Sequence, residues 1–331
     1  MQELYDPDAV NATGDLQKQF AVFNIDSVRG QTYGGGFAGK VRSGALAGSS
    51  GGISILGNTD LNINISDLLG VINAYVPFVR NAGVYSENGF VVAADEIRSN
   101  DSHSGSAGGF AGYMSGAQIS YCDVYKLKHT EVTPPDNLES ISGTSYFDNT
   151  KSKYAVVGGH YAGGYVGNMD IGDAASVGSG LQVFGTGIQL TDVLSALSVV
   201  VSTIEHSDVQ GAGGGFSVIA DKTVNDLKVG MSGGYAGTVC GGHIQNSHCK
   251  NFYYIIGEEM AGGYVGNMEP GNVANLMYET NVGLLGGLLG NILNVDSSLA
   301  SLAEDFVPTI RNSTTSCVPC GGAVRAQAAS D

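Results

Sequence analysis

Two stretches of the chain set oxygen-bearing side chains around a glycine turn: Gly167-Asn168-Met169-Asp170-Ile171-Gly172-Asp173 and Gly266-Asn267-Met268-Glu269-Pro270-Gly271-Asn272. Calcium takes roughly six to eight oxygen ligands, so Asn168, Asp170, Asp173 and Glu269 are the calcium candidates. The matching stretch Lys40-Val41-Arg42-Ser43-Gly44-Ala45 has no carboxylate, and a solvated turn is the competing account. No other cofactor is expected.

Five cysteines, Cys122, Cys240, Cys249, Cys317 and Cys320, leave at least one unpaired, which excludes a complete disulfide framework. Cys240, His243, His248 and Cys249, with Cys317 and Cys320, offer soft ligands of the kind zinc accepts. The bland alternative is small residues packed inside the fold, with Cys317–Cys320 or Cys240–Cys249 as the disulfide options. Cys320-Gly-Gly-Ala-Val324 reads as a mirror of Cys240-Gly-Gly-His-Ile244.

For acid–base work the sequence offers His103 beside Asp101, and His206 near Glu205 and Asp208. Neither pairing recurs between the matched segments, and no G-x-S-x-G nucleophile motif is present, so these read as polar loop residues and the chain is not expected to be an enzyme. The glycine runs match neither a phosphate loop nor a dinucleotide fingerprint.

The elements that must carry these residues emerge from internal repetition. The form V-x-G-x-x-[YM]-[AG]-G-G-[FY]-[AV]-G spans Val28–Gly39 and Val156–Gly167, with an Ile-led version at Ile255–Gly266. Shorter versions lie at Gly108–Gly112 and Gly233–Gly237. A second signature, apolar-x-polar-small, recurs at Val79, Ile119, Ile204, Ile244 and Ile310, and these five side chains are expected to point inward. Between the two signatures lie apolar positions at spacings of three and four, which predict amphipathic helices at about 67–76, 192–203 and 298–307.

Glycine supplies 51 of 331 residues, about twice its usual share, while the charged fraction is only 14% and the apolar fraction an ordinary 43%. That excludes an ordinary helical bundle and argues for a packed, glycine-rich β fold. Short strands with glycine corners predict a mainly β chain, a parallel β-solenoid (β-helix) with the helices inserted, the alternative being a β-sandwich or barrel. Paired glycines are expected to serve φ > 0 corners and close approach of neighbouring coils. One continuous domain is expected: a lead-in at 1–27, copy one at 28–155 with an insertion at 126–153, copy two at 156–254, and a shortened copy three with a tail at 255–331. In the insertion, Tyr146 and Phe147 are the aromatic candidates for partner binding.

Thirty-one acidic against 15 basic residues give a net charge of −16, which argues against nucleic acid as a partner. No basic-then-apolar leader opens the sequence, and the longest uncharged apolar run, Val282 to Val295, is shorter than the roughly 20 residues of a membrane span.

The run Gly233-Gly-Tyr-Ala-Gly followed by Ile244-x-Asn246-Ser247 resembles the glycine-rich GLUG-type repeats of large bacterial surface and adhesin-like proteins, over most of residues 28–325. The resemblance implies a secreted, cell-surface setting and a solenoid stalk. The expectation is therefore a structural and adhesive segment, excised from a longer extracellular protein, that meets a surface protein or glycan of a host or neighbouring cell. The alternative is a carbohydrate-active β-helix enzyme, a polysaccharide lyase or hydrolase.

Overall fold

The computed structural model describes residues 22–43, 54–56, 76–94, 96–127, 154–171, 182–184, 201–213, 215–220, 223–224, 227–271, 307–319 and 321–326. These residues are mainly β and contain no helix. The bodies of the three expected helices and most of the 126–153 insertion lie outside them. Where the second helix was expected to end, Thr203 instead opens the strand Thr203–Glu205, paired on both sides. The short insertion stretch that is described, Lys126–Leu127, closes the strand Val124–Leu127.

Four sheets take strands from the chain in turn. One holds Phe78–Arg80, Gln118–Ser120, Thr203–Glu205, His243–Gln245 and Thr309–Arg311, stacked in chain order. A second holds Tyr33–Gly35, Ser106–Gly108, Tyr161–Gly163, Met231–Gly233 and Met260–Gly262. A third holds Ala38–Arg42, Ala111–Ser115, Val166–Asp170, Ala236–Cys240 and Val265–Glu269. The fourth is the ten-stranded sheet, whose long strands Val84–Ala94 and Cys249–Gly257 bend through two ladders. All pairing in these four sheets is parallel, an arrangement compatible with a β-helix; a sandwich would instead be built on antiparallel hairpins. Among the described strands the sole antiparallel pair is Thr223–Val224 with Leu227–Lys228, a small excursion from the stack.

The register follows the repeats. Val79, Ile119, Ile204, Ile244 and Ile310 stand directly above one another. Ile119, Ile204 and Ile244 are fully buried, and Val79 and Ile310, at the two ends of the ladder, are half-buried against the same core. A second column, Val84, Val124, Val209 and Cys249, is likewise sealed from water. Each strand buries its apolar residue only because another strand lies above and below it.

The corner after the first ladder explains the Asn and Ser of the signature. Asn81, Tyr121, His206, Asn246 and Asn312 all hold left-handed backbone, with φ between 49° and 55°. Asparagine is the non-glycine residue that enters this region most readily, because its short amide bonds locally. The next residue forms a ladder of its own. Cys122 N–H donates to Ser207 Oγ (3.1 Å), Ser207 N–H to Ser247 Oγ (3.2 Å) and Ser247 N–H to Ser313 Oγ (3.2 Å). Each of these serine hydroxyls donates to the carbonyl two residues before it in its own strand. One residue further, the direction reverses: Asp208 N–H donates to Asp123 Oδ1 at 2.7 Å and His248 N–H to Asp208 Oδ1 at 2.8 Å.

The paired glycines of the G-G-[FY]-[AV]-G motif do not make φ > 0 corners, contrary to expectation; among the described pairs positive φ occurs at Gly241 of Gly241–Gly242 and Gly321 of Gly321–Gly322. The motif pairs are required by contact. A methyl on Gly163 would stand 2.0 Å from the Val166 carbonyl oxygen, and one on Gly164 would stand 2.2 Å from that of Gly234 in the next strand. Backbone lies against backbone there, and no side chain fits. The aromatic residue that follows each pair turns inward into a single stack, Phe37–Phe110–Tyr165–Tyr235–Tyr264, with ring centroids 4.8 to 5.1 Å apart and planes within 7°. Each such pair adds about 0.5–1.5 kcal/mol beyond burial.

From the third sheet back to the first, the connection alternates. Gly116–Ala117 and Gly241–Gly242 make the passage in two residues, whereas the other three connections, residues 43–77, 171–202 and 270–308, are long. Strands Ser54–Leu56 and Gln182–Phe184, within two of these connections, pair parallel with each other. The expected mirror of Cys240–Ile244 in Cys320–Val324 is overturned: Ile244 pairs with Ile310, while Val324 pairs with Ile255 in the ten-stranded sheet.

Candidate functional site

The polar side chains best positioned for chemistry gather on the outer face of the second and third sheets, where residues 96–105 cross from Val84–Ala94 to Ser106–Gly108. Tyr33 opens the edge strand of the second sheet, and Lys40, Tyr113 and Asn168 are register neighbours in the third. His103, on the crossing segment, stacks on the Tyr113 ring (4.6 Å, 24°) and sets its Nδ1 3.1 Å from Asn168 Nδ2. Its Nε2 stands 3.8 Å from Asp170 Oδ2. Asp101 accepts the Tyr33 hydroxyl (2.5 Å) and the His103 N–H (3.2 Å). Lys40 Nζ lies over the rings of both Tyr33 and Tyr113, at 4.7 and 4.8 Å, a cation–π clamp on the same cluster.

The electrostatics follow from these contacts. Burial works against the Asp101 anion, but the Tyr33 hydroxyl, the His103 N–H and nearby Lys40 outweigh it and hold the carboxyl below its ordinary range. Burial, reinforced by Asp101, pushes the Tyr33 phenol up, so it is a donor at neutral pH. Burial brings His160 down to about 4, with His103 adding repulsion, so this imidazole is neutral under ordinary conditions. The His103 ring thus faces one carboxylate, Asp170, while Asp101 holds the His103 main chain and the Tyr33 hydroxyl, so an imidazole and two carboxylates of different environment lie in one cluster.

Of the calcium candidates, Asn168 is 2% exposed, with its Oδ1 buried and unpaired. Asp170 spends Oδ1 on the Ile171 N–H at 2.7 Å. Glu269 is two strands away with Cys240 between, and accepts from Asn267 Nδ2 at 2.8 Å. The structure thus brings Asn168 and Asp170 to His103 and leaves Glu269 apart; Asp173 lies outside the described residues, as do Tyr146 and Phe147. Among the described residues no three His, Cys, Asp or Glu side chains gather closely enough to hold a metal ion.

The zinc set is dispersed by the same topology. His243 and His248 bond Thr309 and Thr314, each at 2.8 Å, whereas Cys249 points into the core. Cys122, Cys240, Cys249 and Cys317 are free thiols, so the Cys240–Cys249 disulfide is not formed, nor is Cys317 in one. Burial pushes Cys122, Cys240 and Cys249 up to about 12. His206 stacks on Tyr121 (4.8 Å, 3°), while its sequence neighbours Glu205 and Asp208 bond Gln245 and Lys250, both at 2.5 Å.

Sequence reasoning found the Asp101–His103 pair and, separately, Asn168 and Asp170, but missed that they meet, and missed Tyr33, Lys40 and Tyr113. The available signal was the Tyr of the long motif, which stands at Tyr33 and Tyr161 on the outer side of the second sheet. No family model, curated protein or solved structure matches the chain.

Proposed function

We propose that the chain is a structural and adhesive segment of an extracellular bacterial surface protein, built as a parallel β-solenoid that presents surface loops to a protein or glycan of another cell. The observation that carries this reading is the unbroken parallel column Val79–Ile119–Ile204–Ile244–Ile310. Stacked repeats of this kind extend in one dimension and expose long faces for recognition. The resemblance of the G-G-[FY]-[AV]-G and I-x-N-S signatures to GLUG-type repeats, and the net charge of −16, support the surface setting. The test is attachment: beads coated with the purified chain should bind to host or neighbouring bacterial cells above an albumin-coated control. Binding no greater than the control across a broad cell panel and a glycan and matrix-protein array overturns it.

A second reading, a carbohydrate-active β-helix enzyme, draws on His103 standing next to both Asp101 and Asp170. Release of reducing ends or unsaturated products from a polysaccharide panel, lost in His103→Ala, would favour it over the adhesive reading.

A further inference from the structure

In four successive strands the glycine before the stacked aromatic is fixed by the strand that follows. A Cβ on Gly36, Gly109, Gly164 or Gly234 would stand 2.2 to 2.3 Å from the carbonyl oxygen of Gly109, Gly164, Gly234 or Gly263 respectively. Gly263 ends this series, and among the described residues the one atom within 4 Å of a Cβ there is Thr315 Cγ2, at an ordinary 3.7 Å. Its φ is not in the left-handed region, so neither backbone conformation nor a contact among the described residues calls for glycine. What would call for it is one more carbonyl, in the place the following strand fills everywhere else in the series.

The backbone points the same way. The N–H groups of Phe37, Phe110, Tyr165 and Tyr235 each donate to the aromatic carbonyl one strand on, at 2.8 to 3.0 Å, and Tyr264 is the last of that line. Three core columns also finish at this end, on the half-buried Tyr264 and Ile310 and on Val324, which is 43% exposed. At the opposite end the same columns begin with Phe37, Val79 and Val28, all half-buried.

We propose that the last strands of one molecule receive the first strands of a second copy, head to tail, so that the sheets continue across the contact; this goes beyond the adhesive reading and does not depend on it. Because both ends belong to the same columns, one placement sets the second copy's Phe37 on Tyr264, its Val79 on Ile310 and its Val28 on Val324. The same placement delivers its Gly36 carbonyl to the space beside Gly263. It also brings Arg42 opposite Glu269, the two ends of one register column. A lone peptide strand could pair with one open edge, but several edges at fixed spacing are matched together by the start of a stack with this pattern, which the chain itself carries. Against the contact, Arg29 would face Arg325 and Arg80 would face Arg311, and each copy carries a net charge of −16, so it forms better in salt that screens these charges. Stacking along one axis does not close into a ring, so copies add into a filament.

Sedimentation velocity of the full chain over a concentration series at raised salt is expected to show species larger than a dimer, and negative-stain microscopy to show unbranched filaments one molecule wide. Gly263→Ile puts a branched side chain where the second copy's Gly36 carbonyl would lie. It is expected to remove every species above the monomer at an unchanged melting temperature and, added in small proportion to the parent chain, to cap and shorten its assemblies. Glu269→Arg is expected to weaken assembly, and Glu269→Arg combined with Arg42→Glu to restore it. A monomer at every concentration up to the solubility limit, a dimer that grows no further, or assembly unaltered in Gly263→Ile overturns the proposal. If Gly263→Ile lowers the melting temperature, the charge exchange decides, and assembly unaltered by Glu269→Arg overturns it.

Discussion

Tyr235 donates its hydroxyl to the carbonyl oxygen of Ser207 at 2.8 Å, tying the aromatic stack to the corner where the serine ladder runs. Tyr165 and Tyr264 repeat the bond to Cys122 and Ser247 at 2.7 and 2.9 Å, while Phe37 and Phe110 fill the same place without a hydroxyl. Tyr235→Phe therefore keeps the ring stack and leaves a buried carbonyl without that donor. We expect a loss of about 1–3 kcal/mol in denaturant unfolding, and a smaller loss for Tyr264→Phe at the half-buried end of the stack. An unchanged midpoint for Tyr235→Phe would show that the bond contributes nothing net.

The glycine contacts predict a sharp contrast between positions. Gly164→Ala places a methyl 2.2 Å from the Gly234 carbonyl oxygen and 2.7 Å from the Phe216 ring, and should cost roughly 4 kcal/mol or more, or prevent folding. Gly213→Ala faces open space and should be close to neutral. Circular dichroism melts of the two variants check this directly.

Asp123 supplies the pH dependence. Burial, with the neighbouring Asp208 carboxylate adding to it, raises its pKa to about 6, although the Asp208 N–H and Lys250 pull the other way. Because the folded value lies above the unfolded value of about 3.9, the folded state binds more protons between pH 4 and pH 6, and stability falls as pH rises through that window. Asp123→Asn keeps the Oδ1 acceptor for the Asp208 N–H and removes the charge. It should be more stable than the parent by about 1–3 kcal/mol above pH 6, the difference vanishing near pH 4. Parallel urea titrations at pH 4, 5, 6 and 7 test the slope.

The thiols should sort by exposure. Cys122 and Cys249 are buried and Cys240 partly so, and burial raises all three thiols, whereas Cys317 is exposed. Iodoacetamide at pH 8 should label Cys317 in the native protein, leave Cys122 and Cys249 unmodified until denaturant is added, and label Cys240 more slowly than Cys317. Mass mapping of the alkylated peptides gives the result, and native labelling of Cys249 would contradict its place in the core.

The apolar column at Val79, Ile119, Ile204, Ile244 and Ile310 was legible because burial demands the same residue type at the same step in every strand. The cause of the glycine pairs was not, since a Gly serving a positive φ and a Gly serving a close approach look alike until the neighbouring strand is in place. The serine ladder was visible only as a small residue following Asn, because its partners lie 40 to 85 residues away. Cys320-Gly-Gly matched Cys240-Gly-Gly by composition alone: Gly241 and Gly321 both hold positive φ, at different corners. The His103 cluster was hidden for the opposite reason, as its members belong to three separate stretches that only the strand register brings to one face.

Alternation of short and long connections between the third and first sheets has a metric consequence. One parallel strand spacing is about 4.8 Å, and two are about 9.6 Å. The long connections, residues 43–77, 171–202 and 270–308, leave the third sheet from every second strand, with the two-residue passages Gly116–Ala117 and Gly241–Gly242 between them, so their points of departure stand about 9.6 Å apart. A longer or shorter version of this architecture that keeps its decorated edge must gain or lose strands in pairs, making the unit of length change two circuits of chain rather than one.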